Sequence, residues 1–306
     1  MRQAFIFRNL TPTAQLFLLI ILVLLFAILS IAAAYIASVF IWGTGILESA
    51  ADVSESNLNF LQLFQISNQI GIFLIPPLLL ALISESNPSA FLGFRKPPIA
   101  HLAAAIVFIL SIAPLINLLA EWNEALVLPR IMERMADWMR AQEERAALLT
   151  NRFLEATGWK TVLINTVMIA LLPALGEELL FRSALIGILK KYFRSIHWPV
   201  IISAVVFSAF HLQFFGFLPR FALGAGLGYL FVWSGSLWVP VLAHFVNNFM
   251  VVMVAYLYQQ NLIDTGVEEF GKTGSPLLLA ASVVLPALAL LWVFSSQRNA
   301  VREETQ

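Results

Sequence analysis

The chain has 306 residues, of which 60% are hydrophobic and 12% are charged, whereas an ordinary soluble domain is about 25% charged. Basic and acidic side chains number 18 each, so no net positive charge indicates a nucleic-acid partner. The absence of cysteine excludes disulfides, thiolate-bound zinc and thiol catalysis.

Repeated long apolar runs predict one all-α, polytopic integral membrane domain over residues 1–306 rather than two soluble domains. We expect a bundle of about eight transmembrane helices with one amphipathic surface segment. The first run is much longer than a signal-peptide core of roughly 7–15 residues, so we expect it to be retained. The predicted spans are 14–42, 60–83, 99–120, 160–181, 198–216, 218–234, 237–258 and 275–295.

Two of these spans carry residues that shape helices. Pro76 and Pro77 lie inside the second span, where a kink is expected. Close helix packing is predicted for the sixth span because it contains three small residues, Gly224, Gly226 and Gly228.

Charge in the connections predicts that both termini are cytoplasmic, in what we expect to be a bacterial cytoplasmic membrane. The connections 43–59 and 259–274 hold acidic residues, Glu48, Asp52 and Glu55 among them, with Lys272 as their single base. The segments assigned to the cytoplasm carry nine basic residues: Arg2, Arg8, Arg95, Lys96, Lys190, Lys191, Arg194, Arg298 and Arg302.

Residues 121–159 differ from the rest of the chain because charged residues alternate there with apolar ones. Ile131, Met135, Trp138 and Met139 recur at helical spacing, which predicts an amphipathic helix at the surface. Two interpretations remain open: a solvated hairpin that caps the bundle, or a lid that gates the substrate.

The fourth span ends in two adjacent carboxylates, Glu177 and Glu178, followed by Arg182. A charge in hydrocarbon costs roughly 2.5–3.5 kcal/mol, so such residues tend to face a protein interior or a watery cavity. Arg182 lies four residues after Glu178, which predicts an ion pair on one helix face. Glu177 points about 100° away and has no local partner, which favours the role of general base.

Three further polar residues lie in later apolar spans: His211, His244 and Asn248. His244 and Asn248 are four residues apart and share a helix face. The residues together predict hydrolysis, with water activated by Glu177 and His211 and an oxyanion bound by His244 and Asn248. A Zn²⁺ site formed by Glu177, His211 and His244 is equally compatible with the sequence. His101 and His197 lie at span edges, where we expect them at the interface.

These motifs resemble those of the CPBP family of intramembrane proteases, which includes type II CAAX prenyl proteases and the Abi and bacteriocin-processing proteins. Glu177 to Arg182 matches a Glu-Glu-x-x-x-Arg motif, Phe207 to His211 a Phe-x-x-x-His motif, and His244 to Asn248 a His-x-x-x-Asn motif. The resemblance covers about residues 160–258 and implies a catalytic core there. It also implies a glutamate-dependent or metal-assisted endopeptidase that cuts a membrane-embedded or lipidated protein or peptide.

Two other functions stay open at this point. The buried Glu and His residues could relay protons in a transporter, although no internal repeat is found and the first three spans hold no comparable polar residues. The chain could instead be a non-catalytic scaffold or immunity protein that binds a partner through 121–159.

Overall fold

The computed structural model of the protein describes residues 10–47, 57–155 and 158–304. Five charged residues used above to predict the orientation lie outside these residues: Arg2, Arg8, Glu48, Asp52 and Glu55.

The described residues form ten helices and no β-strand. In chain order they are α1 Pro12–Trp42, α2 Leu58–Ser84, α3 Pro88–Leu92, α4 Ile99–Glu124, α5 Glu133–Leu154, α6 Trp159–Leu189, α7 His197–Phe210, α8 Phe217–Ser234, α9 Trp238–Gln259 and α10 Pro276–Glu304.

Within the described residues, seven helices are long and apolar enough to span a membrane: α1, α2, α4, α6, α8 with its preceding 3₁₀ turn, α9 and α10. The all-α membrane bundle is therefore confirmed, with seven candidate spans where about eight were predicted.

The difference lies in the predicted span 198–216. Its helix, α7, has 14 residues and ends at Phe210, so it is about 21 Å long, against about 30 Å for the hydrocarbon core. The apolar sequence continues beyond α7 into a turn, Phe214–Gly216, that belongs to the next helix.

Both α2 and α6 contain a π-helical turn just ahead of a proline. Gln69–Leu74 precedes Pro76, and Thr166–Leu171 precedes Pro173. A proline inside a helix has no N–H to donate and its ring crowds the carbonyl of the preceding turn, which the wider π turn accommodates.

Helices α2 and α6 approach each other closely beside these turns. A Cβ placed on Gly176 of α6 would lie 2.7 Å from the Cβ of Phe73 on α2, so this position requires glycine. A further π-helical segment, Glu178–Ile186, begins two residues later and is fully buried. Glu178, which begins this segment, thus follows two residues after a tight helix contact.

The glycines of α8 allow the close packing that the sequence predicts. A Cβ on Gly224 would lie 2.9 Å from a ring carbon of Phe207 on α7, and one on Gly228 would lie 2.9 Å from Val200 of the same helix. Helices α7 and α8 thus form a tight antiparallel pair.

One end of the bundle gathers the basic connections. The Nζ atom of Lys191 donates to Gln15 at the start of α1 (2.8 Å) and to Glu85 (2.7 Å). The segments 84–98 and 190–194, both assigned to the cytoplasm from their charge, therefore lie at the same end. Which side of the membrane this end faces stays a prediction.

The predicted surface segment 121–159 divides into three parts. Residues 121–124 complete α4, a connection with a short 3₁₀ turn follows, and the amphipathic helix itself is α5. Its apolar residues Met135 and Trp138 are exposed. Helix α5 packs against the turn between α7 and α8, where the rings of Trp138 and Phe214 lie 5.8 Å apart.

Of the two histidines expected at the interface, His101 is buried. Its Nε2 atom lies 3.2 Å from the hydroxyl of Ser296 on α10. His197 begins α7, and its Nδ1 atom lies 2.8 Å from the hydroxyl of Tyr229.

Candidate active site

A buried charged cluster joins α6 to α9. Glu178 Oε1 lies 3.0 Å from Arg182 Nη1 on its own helix and 2.8 Å from His244 Nδ1 on α9. Arg182 also donates from Nη2 to the carbonyl of Gly224 at 3.1 Å. All three side chains are buried, and Glu178 is 0% exposed. The ion pair expected between Glu178 and Arg182 is present, and His244 is a further partner of the same carboxylate.

The neighbouring carboxylate, Glu177, faces a cavity instead. Its side chain is largely buried yet lines a cavity of about 550 Å³. Its Oε2 atom lies 3.8 Å from Nε2 of His244, too long for a hydrogen bond. His244 therefore lies between the two glutamates, bonded to Glu178 through Nδ1 and turned towards Glu177 through Nε2.

His211 follows the last turn of α7 and lines the same cavity. Its Nδ1 atom donates to the carbonyl of Phe207 at 2.9 Å. Because a carbonyl can only accept, the neutral ring carries its proton on Nδ1 and keeps a lone pair on Nε2. The Nδ1 atom of His244 likewise donates, in this case to the carboxylate of Glu178.

Asn248 lies one turn beyond His244 on α9 and also lines the cavity. Its Nδ2 atom donates to the carbonyl of Ile169 at 3.1 Å, and its Oδ1 accepts from Asn247 at 3.0 Å. These two bonds fix the orientation of the amide and leave one N–H for a ligand.

Phe207 lies at the centre of these residues. The guanidinium carbon of Arg182 lies 4.5 Å from its ring centroid. The rings of His211 and His244 meet it edge-on at 5.0 and 6.2 Å. Phe207 thus contacts both imidazoles and packs against the guanidinium of Arg182.

The structure therefore brings together all four residues predicted to be catalytic. Glu177, His211, His244 and Asn248 line one cavity, whereas the predicted supporting residues Glu178 and Arg182 lie behind its wall. The roles assigned to these residues stay predictions.

Several cavity residues were missed from the sequence: Gln65 and Gln69 on α2, Thr150 on α5, Gln213 before α8, Arg220 on α8 and Asn247 on α9. Gln65 and Gln69 correct the view that the first three spans hold no comparable polar residue. Their spacing of four residues in an apolar helix was the signal that could have identified them.

Zinc binds nitrogen and carboxylate ligands, and Glu177, His211 and His244 offer that set. His211 donates from Nδ1 to Phe207, and His244 donates from Nδ1 to Glu178. Hydrogen bonds of this kind orient histidines that bind a metal. However, no three His, Asp or Glu side chains in the described part of the chain lie close enough to hold one ion. The donor types fit zinc and the spacing does not, so no step below involves a metal. The zinc site stays a prediction.

Comparison with known proteins identifies the segment that carries the four residues predicted to be catalytic. Residues 159–250 match the family model of the Rce1-like type II CAAX prenyl endopeptidases. The chain is 30% identical over 86 residues to the uncharacterized protein YpbD of Bacillus subtilis (strain 168), a match that covers 27% of this chain and 41% of YpbD. No solved structure matches the chain. With seven candidate spans and a match to a membrane protease family, the protein is an integral, multi-pass membrane protein.

Proposed function

Through residues 159–250 the chain is related to the Rce1-like type II CAAX prenyl endopeptidases, and on this basis we propose that it hydrolyses a peptide bond inside the membrane. The substrate is a membrane-embedded or lipidated protein or peptide. One observation carries the proposal: a carboxylate, two imidazoles and an amide from two helices and one helix end converge on one cavity in an apolar bundle.

Glu177 is the general base in this proposal. It lines the cavity and has no hydrogen-bond partner among the residues that the structure describes, whereas Glu178 is bonded to His244 and paired with Arg182. A water molecule donates one proton to Glu177 and is oriented by the lone pair on Nε2 of His211. The water oxygen attacks the substrate carbonyl carbon as Glu177 takes the proton.

The oxyanion that forms on the substrate carbonyl needs hydrogen-bond donors. Asn248 supplies its remaining N–H, and its amide is already oriented by Ile169 and Asn247. His244 donates from Nε2 only as an imidazolium, because its Nδ1 proton is already committed to Glu178. When the C–N bond breaks, Glu177 returns its proton to the leaving amine.

The test is cleavage of a membrane-anchored reporter peptide by the purified protein in proteoliposomes, with products identified by mass spectrometry. We expect cleavage by the wild type and none by Glu177→Ala, while the exposed Glu121→Ala serves as a matched control. Equal cleavage by wild type and Glu177→Ala contradicts the proposal.

The other two functions make different predictions in the same preparation. A transporter that uses these residues predicts proton-coupled uptake, abolished by Glu177→Gln, with no peptide product. A scaffold predicts that deletion of 121–159 removes the cellular phenotype while Glu177→Ala retains it.

A further inference from the structure

An arginine, Arg220, faces the cavity, and the catalytic proposal does not use it. Arg220 lies on α8, is half-buried and lines the same cavity as Glu177. A guanidinium in a membrane-spanning helix is costly unless an anion or a set of acceptors compensates it. Arg220 is therefore a candidate for binding a ligand.

The protein partner of Arg220 is a neutral residue. Its Nη1 atom donates to the backbone carbonyl of Gln213 at 3.3 Å, and its Nη2 atom donates to the side-chain oxygen of the same residue. Among the described residues, no carboxylate pairs with Arg220 within 4 Å, although Glu177 and Glu143 act on it at longer range. Glu143 instead accepts from the backbone N–H of Phe215 at 3.2 Å.

The position of this guanidinium depends on a glycine in the turn before α8. A Cβ on Gly216 would overlap Nη1 of Arg220, so the turn before α8 must present glycine for the side chain to lie where it does. Gln213 and Gly216 belong to the short connection that follows His211. The same connection therefore positions the cation and the predicted catalytic imidazole.

We propose that Arg220 binds a carboxylate of the peptide substrate and so selects the peptides that are cut. This inference rests on the proposed endopeptidase function. Arginine suits the task because its planar guanidinium keeps further N–H donors for a paired contact with a carboxylate. The carboxylate is either an acidic side chain near the cleaved bond or the free C-terminus of the peptide. Apolar cavity residues such as Phe153, Phe210 and Leu223 accommodate the rest of the peptide.

The test uses two matched pairs of acetylated, leucine-rich hexapeptides with the purified protein in proteoliposomes. One pair differs in its C-terminus, free carboxylate against carboxamide. The other pair is amidated and differs in one internal residue, aspartate against asparagine. The readout is the ratio of kcat/KM within each pair, which cancels any general loss of activity in a variant.

The wild type should prefer the carboxylate of at least one pair by about tenfold or more, the size expected for a charged hydrogen bond. The pair that shows the preference identifies the source of the carboxylate. The preference should fall to near one in Arg220→Gln, decrease in Gly216→Ala and persist in the matched control Arg298→Gln, which is exposed on α10. A wild-type ratio near one for both pairs, or a ratio that survives in Arg220→Gln, overturns the inference.

Binding to the Glu177→Gln protein separates this inference from the proposed function. The same four peptides should bind with the same carboxylate preference when hydrolysis is removed. Glu177-dependent cleavage with no carboxylate preference contradicts the role of Arg220 alone. An Arg220-dependent preference in binding, with no cleavage by the wild type, contradicts the endopeptidase and leaves the carboxylate subsite standing.

Discussion

Glu178 Oε1 and His244 Nδ1 are 2.8 Å apart, and this contact ties the first motif on α6 to the third motif on α9. The same oxygen lies 3.0 Å from Arg182, so one buried carboxylate holds two partners on two helices. Glu178 therefore orients the imidazole that faces Glu177. Of the two adjacent glutamates, Glu178 positions His244, whereas Glu177 faces the cavity.

Glu178→Gln should destabilise the protein. The substitution leaves the Arg182 charge buried without its counter-charge, and breaking a buried pair in this way costs about 3–5 kcal/mol. Thermal unfolding in detergent measures the effect as a lowered Tm. The matched control is Glu85→Gln, whose ion pair with Lys191 is partly exposed and should contribute about 1 kcal/mol at most. Equal shifts in the two variants would contradict the structural role of Glu178.

Asn248→Ala should lower kcat by about 10²–10³-fold, because the variant lacks the amide donor assigned to the oxyanion. Asn247→Ala should have a smaller effect, since Asn247 acts only by orienting the amide of Asn248. Steady-state cleavage rates of the two variants check this order. A larger loss in Asn247→Ala than in Asn248→Ala would mean that the donor has been assigned to the wrong residue.

Chelation should leave cleavage unchanged if water is activated by Glu177 and His211 alone. The measurement combines metal analysis of the purified protein with cleavage before and after treatment with a chelator. Loss of activity on chelation, with recovery on addition of Zn²⁺, would instead support the His and Glu ligand set predicted from the sequence.

Gly176→Ala should lower stability because its Cβ would be placed 2.7 Å from Phe73 in a contact between α2 and α6. Overpacking of this kind costs about 1–3 kcal/mol, and the shift of α6 should also displace Glu177 and slow cleavage. Gly274→Ala is the control, since no atom lies within 4 Å of its added Cβ. Unfolding and cleavage assays that show no difference between the two variants would contradict the tight helix contact.

Much of the bundle could be predicted from the sequence because long apolar runs report directly on transmembrane helices. The predicted span 198–216 was the exception, since hydropathy does not show that the helix ends at Phe210 and the chain turns before α8. The π-helical turns were also missed. They depend on the packing of α2 against α6 as well as on the prolines that mark them.

Part of the charged site could also be predicted from the sequence. Helical spacing alone gave the pair of Glu178 with Arg182, because both residues lie on one helix. The contact of His244 with Glu178 joins residues 66 positions apart, and no local rule predicts it. Arg220 was missed because its importance comes from the cavity that it lines and from the absence of an acidic partner within 4 Å among the described residues.

The central claim is that Glu177 is the base, and the most direct test compares cleavage and unfolding of Glu177→Gln with those of the wild type. General base catalysis is worth roughly 10²–10⁴-fold, so we expect cleavage to fall by at least about 100-fold. The Tm should stay close to the wild-type value, because Glu177 has no hydrogen-bond partner among the described residues, in contrast to Glu178. Cleavage by Glu177→Gln at the wild-type rate, in a protein with an unchanged Tm, would contradict the account.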